Sequence, residues 1–165
     1  MKITLNNFFD IYTGPRLTIF VTGGGFSIVD LLKIPGASSY IGGIYAPYSL
    51  DQIVNLCSMY EIYDDDIGKC NCQATLAYTK LLDIITQGLP EDDCKIVINA
   101  ALTSNRPRKD DNRFYYSING NIEYEELPKL DDKFIPDFSA GQRLAEDLYI
   151  TNKVLNKICS HMKCI

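Results

Sequence analysis

At 165 residues, with 46% apolar and 22% charged side chains, the chain has the length and composition of one soluble globular domain spanning residues 1–165. A net charge of -5 argues against a nucleic-acid surface: the basic cluster Arg106, Arg108 and Lys109 runs straight into Asp110 and Asp111 and reads as a solvated loop. No apolar run approaches the ~20 residues that span a membrane, and Asn6, Asn7 and Asp10 stand where a signal peptide would be apolar. A cytoplasmic protein with six reduced cysteines is therefore expected.

Helical spacing of Ile3, Leu5, Phe8, Phe9 and Tyr12 predicts a first helix, closed by Gly14 and Pro15. Leu17 to Val21 follows as a buried strand. Gly23, Gly24 and Gly25 then let the backbone turn sharply and approach a ligand with no Cβ in the way. A helix over Phe26–Lys33 starts at once, so its free amides and positive dipole end suit an anion above the strand. The glycine run lacks the last glycine of GxGxxG and the lysine of a Walker A loop, and a tight turn without a ligand has the same spacing.

Pro35 and Gly36 stop that helix, and Gly42–Ala46 reads as a second buried strand ended by Pro47. Ser49 caps a short helix over Leu50–Met59, and an amphipathic helix over Cys70–Gln87 follows the acidic run Asp64, Asp65, Asp66. That run reads as a solvated turn or, with lower weight, as a metal site. Cys159, His161 and Cys164 offer three metal ligands with no fourth nearby in sequence, so no metal is assigned. The run from Lys95 to Ala101 is a central strand, and Asn105–Asn112 a mobile loop beyond it. Phe114–Ile118 and Ile122–Leu127 flank the hairpin signal Asn119-Gly120. After a linker holding Pro128 and Pro136, a last helix over Ser139–His161 carries Leu144, Leu148, Ile150, Val154, Leu155 and Ile158 as its apolar stripe. This order predicts an α/β fold, a three-layer α/β/α sandwich around a mostly parallel or mixed sheet.

VTGG at Val21–Gly24, PGASS at Pro35–Ser39 and YS at Tyr48–Ser49 resemble, in order and spacing, three motifs of the C-terminal domain of the competence/damage-inducible CinA family. Active members of that family are nicotinamide-nucleotide amidohydrolases, which deamidate nicotinamide mononucleotide, and members commonly self-associate. The resemblance covers nearly the whole chain and reads as a stand-alone version of that domain. It implies Ser38 as nucleophile, with Tyr48 helping to move the proton. It further implies a small-molecule nucleotide pocket using Thr22, Gly23, Gly24, Gly25 and Asn99, and no cofactor.

On the last helix Arg143 and Asp147 match a family arginine and acid; an i,i+4 surface ion pair is the plainer reading. The family's Glu-Ser-Cys is here Ile19, Phe20 and Val21, and its serine-activating lysine falls on Ile53. The glycine-bearing TGIAGP becomes Asn99-Ala100-Ala101-Leu102-Thr103-Ser104. A serine needs an adjacent base, so the expectation is a catalytically silent or altered domain that binds a nucleotide-type ligand. The alternative is an active amidohydrolase using Ser38. Tyr12 and Tyr149 could line a homodimer interface or fill the core.

Overall fold

A computed structural model describes residues 2–89, 93–104, 112–128 and 140–162. Most of the expected loop 105–112, together with Pro90, Pro136, Ser139 and Cys164, lies outside the described residues. Five strands form one sheet in the order β2-β1-β3-β4-β5, comprising β1 (Leu17–Thr22), β2 (Ile41–Tyr45), β3 (Cys94–Ala101), β4 (Arg113–Ile118) and β5 (Asn121–Glu126). β1 is parallel to β2 and β3, whereas β4 and β5 run antiparallel, so the sheet is mixed. Every residue of β1 is buried, as befits a strand covered on both faces. Asn119 and Gly120, with φ of 50° and 86°, make the turn between β4 and β5.

The alternation of side chains along β1 and β3 divides the core into two layers. On one face Ile19, Val21, Ile96 and Ile98 meet the inner stripe of α4 (Ala140–Met162), Ile150, Val154, Leu155 and Ile158. Phe8 of α1 (Phe8–Ile11), with Tyr12 just after it, completes that layer. On the other face Phe20 and Val97 pack against Ile53 and Cys57 of α2 (Leu50–Met59) and Tyr78, Leu81 and Leu82 of α3 (Cys72–Ile85). The three expected layers are present.

Three local expectations change. The first helix shrinks to Phe8–Ile11 because the Asn7 side chain accepts from the Thr4 amide at 2.8 Å, a local turn that competes with helix. The segment Phe26–Lys33 is a 3-10 helix, and a second 3-10 turn covers Ala37–Ser39. In α4, Leu144 and Leu148 are 70% and 44% exposed and leave the buried stripe. At 3.6 residues per turn Leu144 lies about 120° and Leu148 about 160° around the helix from Ile150. Tyr12, 2% exposed, belongs to the core and hydrogen-bonds the Pro15 carbonyl.

Candidate ligand site

Parallel strands end together, and the ends of β1 and β3 open into a cavity of about 810 Å³ at the C-terminal edge of the sheet. Thr22 and Gly23 from β1 and the turn after it form one wall, and Asn99, Ala100 and Ala101 from β3 the next. Tyr48, Leu50 and Ile53 close the α2 side, and Gly68 to Asn71, ahead of α3, lie opposite. Arg113 at the start of β4 and Arg143 on α4 complete it. Lys69, Arg113 and Arg143 make three cations, and no described lining residue is a carboxylate.

The floor is cross-braced. Asn99, 3% exposed, donates from Nδ2 to the Lys69 carbonyl at 3.0 Å and to Thr75 Oγ1 at 3.1 Å. The Cys70 thiol donates to the Asn99 carbonyl at 3.4 Å, and the Arg113 guanidinium returns two bonds to the Cys70 carbonyl at 3.2 and 2.8 Å. The Tyr78 hydroxyl accepts from the Gly68 amide at 2.9 Å, and burial pushes its phenol up to about 12. Lys69 also pairs with Asp66 at 3.0 Å.

The first turns of α4 hold both rims of this region. The Asp147 carboxylate accepts three consecutive amides of the glycine turn, Gly25 at 2.8 Å, Phe26 at 2.7 Å and Ser27 at 2.8 Å. The anion that the sequence places at this turn is thus supplied by the chain itself. The preceding residue, Glu146, 5% exposed, accepts from the Thr103 amide at 2.8 Å, from Thr103 Oγ1 at 3.0 Å and from Asn112 Nδ2 at 3.3 Å. It therefore ties together the residues on either side of segment 105–111. Arg143 donates to the Thr103 carbonyl at 2.6 Å, and among the described residues no ion pair joins it to Asp147.

Of the residues singled out from sequence, Thr22, Gly23, Tyr48, Asn99 and Arg143 line the cavity together. Gly24 and Gly25 lie behind it: a Cβ at Gly24 would meet the Leu102 side chain, and one at Gly25 would meet Ile98 and Ile150. Gly23, at φ +78°, cannot take a Cβ without striking the Ala100 carbonyl. Asp147 serves the glycine turn as described. Ser38 is exposed on the 3-10 turn Ala37–Ser39, which precedes β2. Since Ile41 pairs with Leu17, that turn lies at the N-terminal edge of the sheet, roughly 17–20 Å of strand from the cavity. Tyr48, 66% exposed, follows β2 and packs edge-on against Phe26 with centroids 5.7 Å apart.

Sequence reasoning passed over Cys70, Arg113 and Glu146. The last had a legible signal: the stripe Ile158, Val154, Ile150, continued one turn backward, lands on Glu146, an inward carboxylate where an apolar residue belongs. Arg113 and Lys69 are brought to the cavity by antiparallel pairing and a loop, which no local pattern records. No disulfide joins Cys57, Cys70, Cys72, Cys94 and Cys159 among the described residues. Among the described residues no cluster of three metal-ligating side chains occurs; Cys164 lies outside them. No described helix is long and apolar enough to cross a membrane.

No family model and no curated protein matches the sequence. Solved structures do match the fold. A competence/damage-inducible protein from Agrobacterium tumefaciens superposes with a TM-score of 0.63 at 12% identity, over 94% of this chain and 90% of that one. A CinA superfamily protein from Klebsiella pneumoniae 700603 gives 0.61 at 13% identity, over 90% and 89%. A competence or damage-inducible protein from Enterobacter asburiae gives 0.59 at 14% identity, over 96% and 98%. With the mixed five-stranded sheet and its two helical layers, these superpositions show that the chain has the fold of the CinA superfamily.

Proposed function

We propose that this domain binds a small nucleotide-type anion in the cavity at the C-terminal edge of β1 and β3, and that it is silent as a Ser38-dependent deamidase. The observation that carries the reading is the charge of the cavity. Among the described residues Lys69, Arg113 and Arg143 line it without a carboxylate, in a chain whose net charge is -5. Such a pocket concentrates anions against the field of the rest of the molecule. Tyr48 offers an exposed ring beside these cations, and a base stacked on an aromatic ring gains ~1–3 kcal/mol. Phosphate against the guanidinium groups and a ring against Tyr48 would use both ends of the site.

Silence is supported by where Ser38 and the residues that could have activated it are placed. Ile53, where the family's lysine would fall, is 5% exposed within the α2–α3 layer. Lys33 is engaged with Asp30 at 2.9 Å, and Lys69 lies at the other edge of the sheet. A serine at its ordinary pKa without an activating base is a poor nucleophile.

The test is nicotinamide mononucleotide added to the purified protein, read as thermal stabilisation and as ammonia release. Stabilisation without ammonia is the expected result. Ammonia release abolished by Ser38→Ala would establish the amidohydrolase alternative, and absence of both signals would remove this ligand class.

A further inference from the structure

Helix α2 is apolar on two faces. Ile53 and Cys57 are buried in the core, whereas Leu50 and Val54, one turn apart, stand 57% and 45% exposed where a surface helix ordinarily carries polar residues. They line one wall of an open groove of about 880 Å³. Its other wall is the segment between α2 and α3, with Ile62, Tyr63 and Ile67 as the apolar part and Asp64, Asp65 and Asp66 as the rim. Tyr63 is 76% exposed. No cation is among the described lining residues. The groove and the cationic cavity share Leu50 and carry opposite charge.

The groove is preformed. The Ile62 amide donates to the Cys57 carbonyl at 3.0 Å, and the Asp66 amide to Asp64 Oδ1 at 2.8 Å. Gln73 Nε2 ties Asp64 Oδ2 to the first turn of α3 at 2.9 Å. Gly68, at φ +91°, has the Leu50 side chain where a Cβ would stand, so helix and loop interlock there. A wall already fixed in this way loses little freedom when a partner seats on it. The same bonds narrow what that partner is. Both Asp64 oxygens are engaged, Asp66 pairs with Lys69 at 3.0 Å, and among the described residues no group of three metal-ligating side chains occurs. The Ile62, Ile67 and Lys69 amides are bonded within the chain, so the loop lacks the row of free backbone groups that an added strand requires.

We propose that this groove docks a short basic amphipathic helix of another protein. Two apolar side chains one turn apart on that helix enter between Leu50, Val54 and Tyr63, and lysine or arginine beside them meets the three aspartates. Charge selects the occupant. A second copy of this chain has a net charge of -5 and is repelled by an acidic rim, whereas a basic segment is drawn to it. The apolar wall supplies the anchor, and the aspartates set which amphipathic helices are admitted. Docking here is independent of which ligand the cavity takes.

Fluorescence anisotropy tests it with a labelled synthetic peptide, a short helix bearing leucines at i and i+4 and lysine or arginine at most other positions, titrated with the full chain. Saturable binding that weakens with added salt is expected. Val54→Asp and Asp65→Lys, both at exposed positions, are each expected to lower the affinity at least about tenfold while far-ultraviolet dichroism stays unchanged. A second peptide keeps the charges and replaces both leucines by serine, and it is expected to bind at least about tenfold more weakly. No saturable binding of the first peptide would overturn the proposal. Equal affinity for the two peptides, or equal affinity of the parent and both variants, would do the same, because attraction to the net charge of the molecule would then suffice. Light scattering covers the competing occupant: a dimer of the parent that dissociates in Val54→Asp would give the groove to a second copy and overturn the proposal too.

Discussion

Asp147 shows at the scale of one residue how an anion site can be filled from within. Three amides that would otherwise lack helical partners converge on its carboxylate at 2.7–2.8 Å. Hydrogen bonds to a charged group are worth ~1.5–3 kcal/mol, so Asp147→Ala is expected to destabilise the fold by ~2–3 kcal/mol in urea denaturation. A loss under ~0.5 kcal/mol would mean that water replaces the carboxylate freely. At Gly23 both the left-handed φ of +78° and the Ala100 carbonyl oppose any side chain. Gly23→Ala should therefore cost at least ~1–3 kcal/mol, whereas Gly36→Ala, with nothing within 4 Å and only φ to strain, should cost less. Gly23 was legible as a cavity residue because a glycine run declares a special backbone, while Tyr48 came from the family motif alone. Lys69 and Arg113 were not, since an exposed cation in sequence looks the same whether it borders a cavity or open water.

The element that organises the site is α4, whose inner face changes character along its length. From Ile150 onward it is apolar and packs on β1 and β3; before that, Arg143, Glu146 and Asp147 grip the loops beyond the same strands. Leu155→Ala is expected to cost ~2–5 kcal/mol by leaving a cavity in the core, and Leu144→Ala to stay within ~0.5 kcal/mol, because Leu144 is 70% exposed. Equal losses in a denaturation series would contradict the rotational setting of this helix. Helix existence was legible from the 3.6-residue spacing, but the stripe was drawn too wide at its N-terminal end. Leucines were counted there as buried when the inward positions were polar. The 3-10 form of Phe26–Lys33 was not legible either, because its amides are fixed by Asp147, a residue 120 positions away from Ser27.

At the scale of the whole molecule, two half-cores are pressed onto one mixed sheet, and each contains a thiol that titrates late. Burial pushes Cys57 and Cys94 from 9.0 up to about 11. The unfolded chain releases these protons first, so their contribution is complete below pH 9 and is lost as pH rises toward about 11. Stability measured by denaturant titration should fall across that window, and less steeply in Cys57→Ala than in the parent. A flat profile there would contradict the burial of both thiols. The layer order and the hairpin were legible because period-two runs and Asn-Gly turns are local. The sheet order, which sets β3 at the centre and leaves β2 on an open edge, is a long-range outcome that no window of sequence contains.

The central claim, that the cationic cavity is a ligand site, is tested most directly by calorimetric titration of nicotinamide mononucleotide into the parent protein and into Arg143→Ala. Saturable binding that weakens with added salt, and that falls at least about tenfold in the variant, is the predicted result, since a charge-assisted contact is worth ~1.5–3 kcal/mol. Binding of equal strength in both proteins would contradict the account and move the ligand away from the C-terminal edge of the sheet.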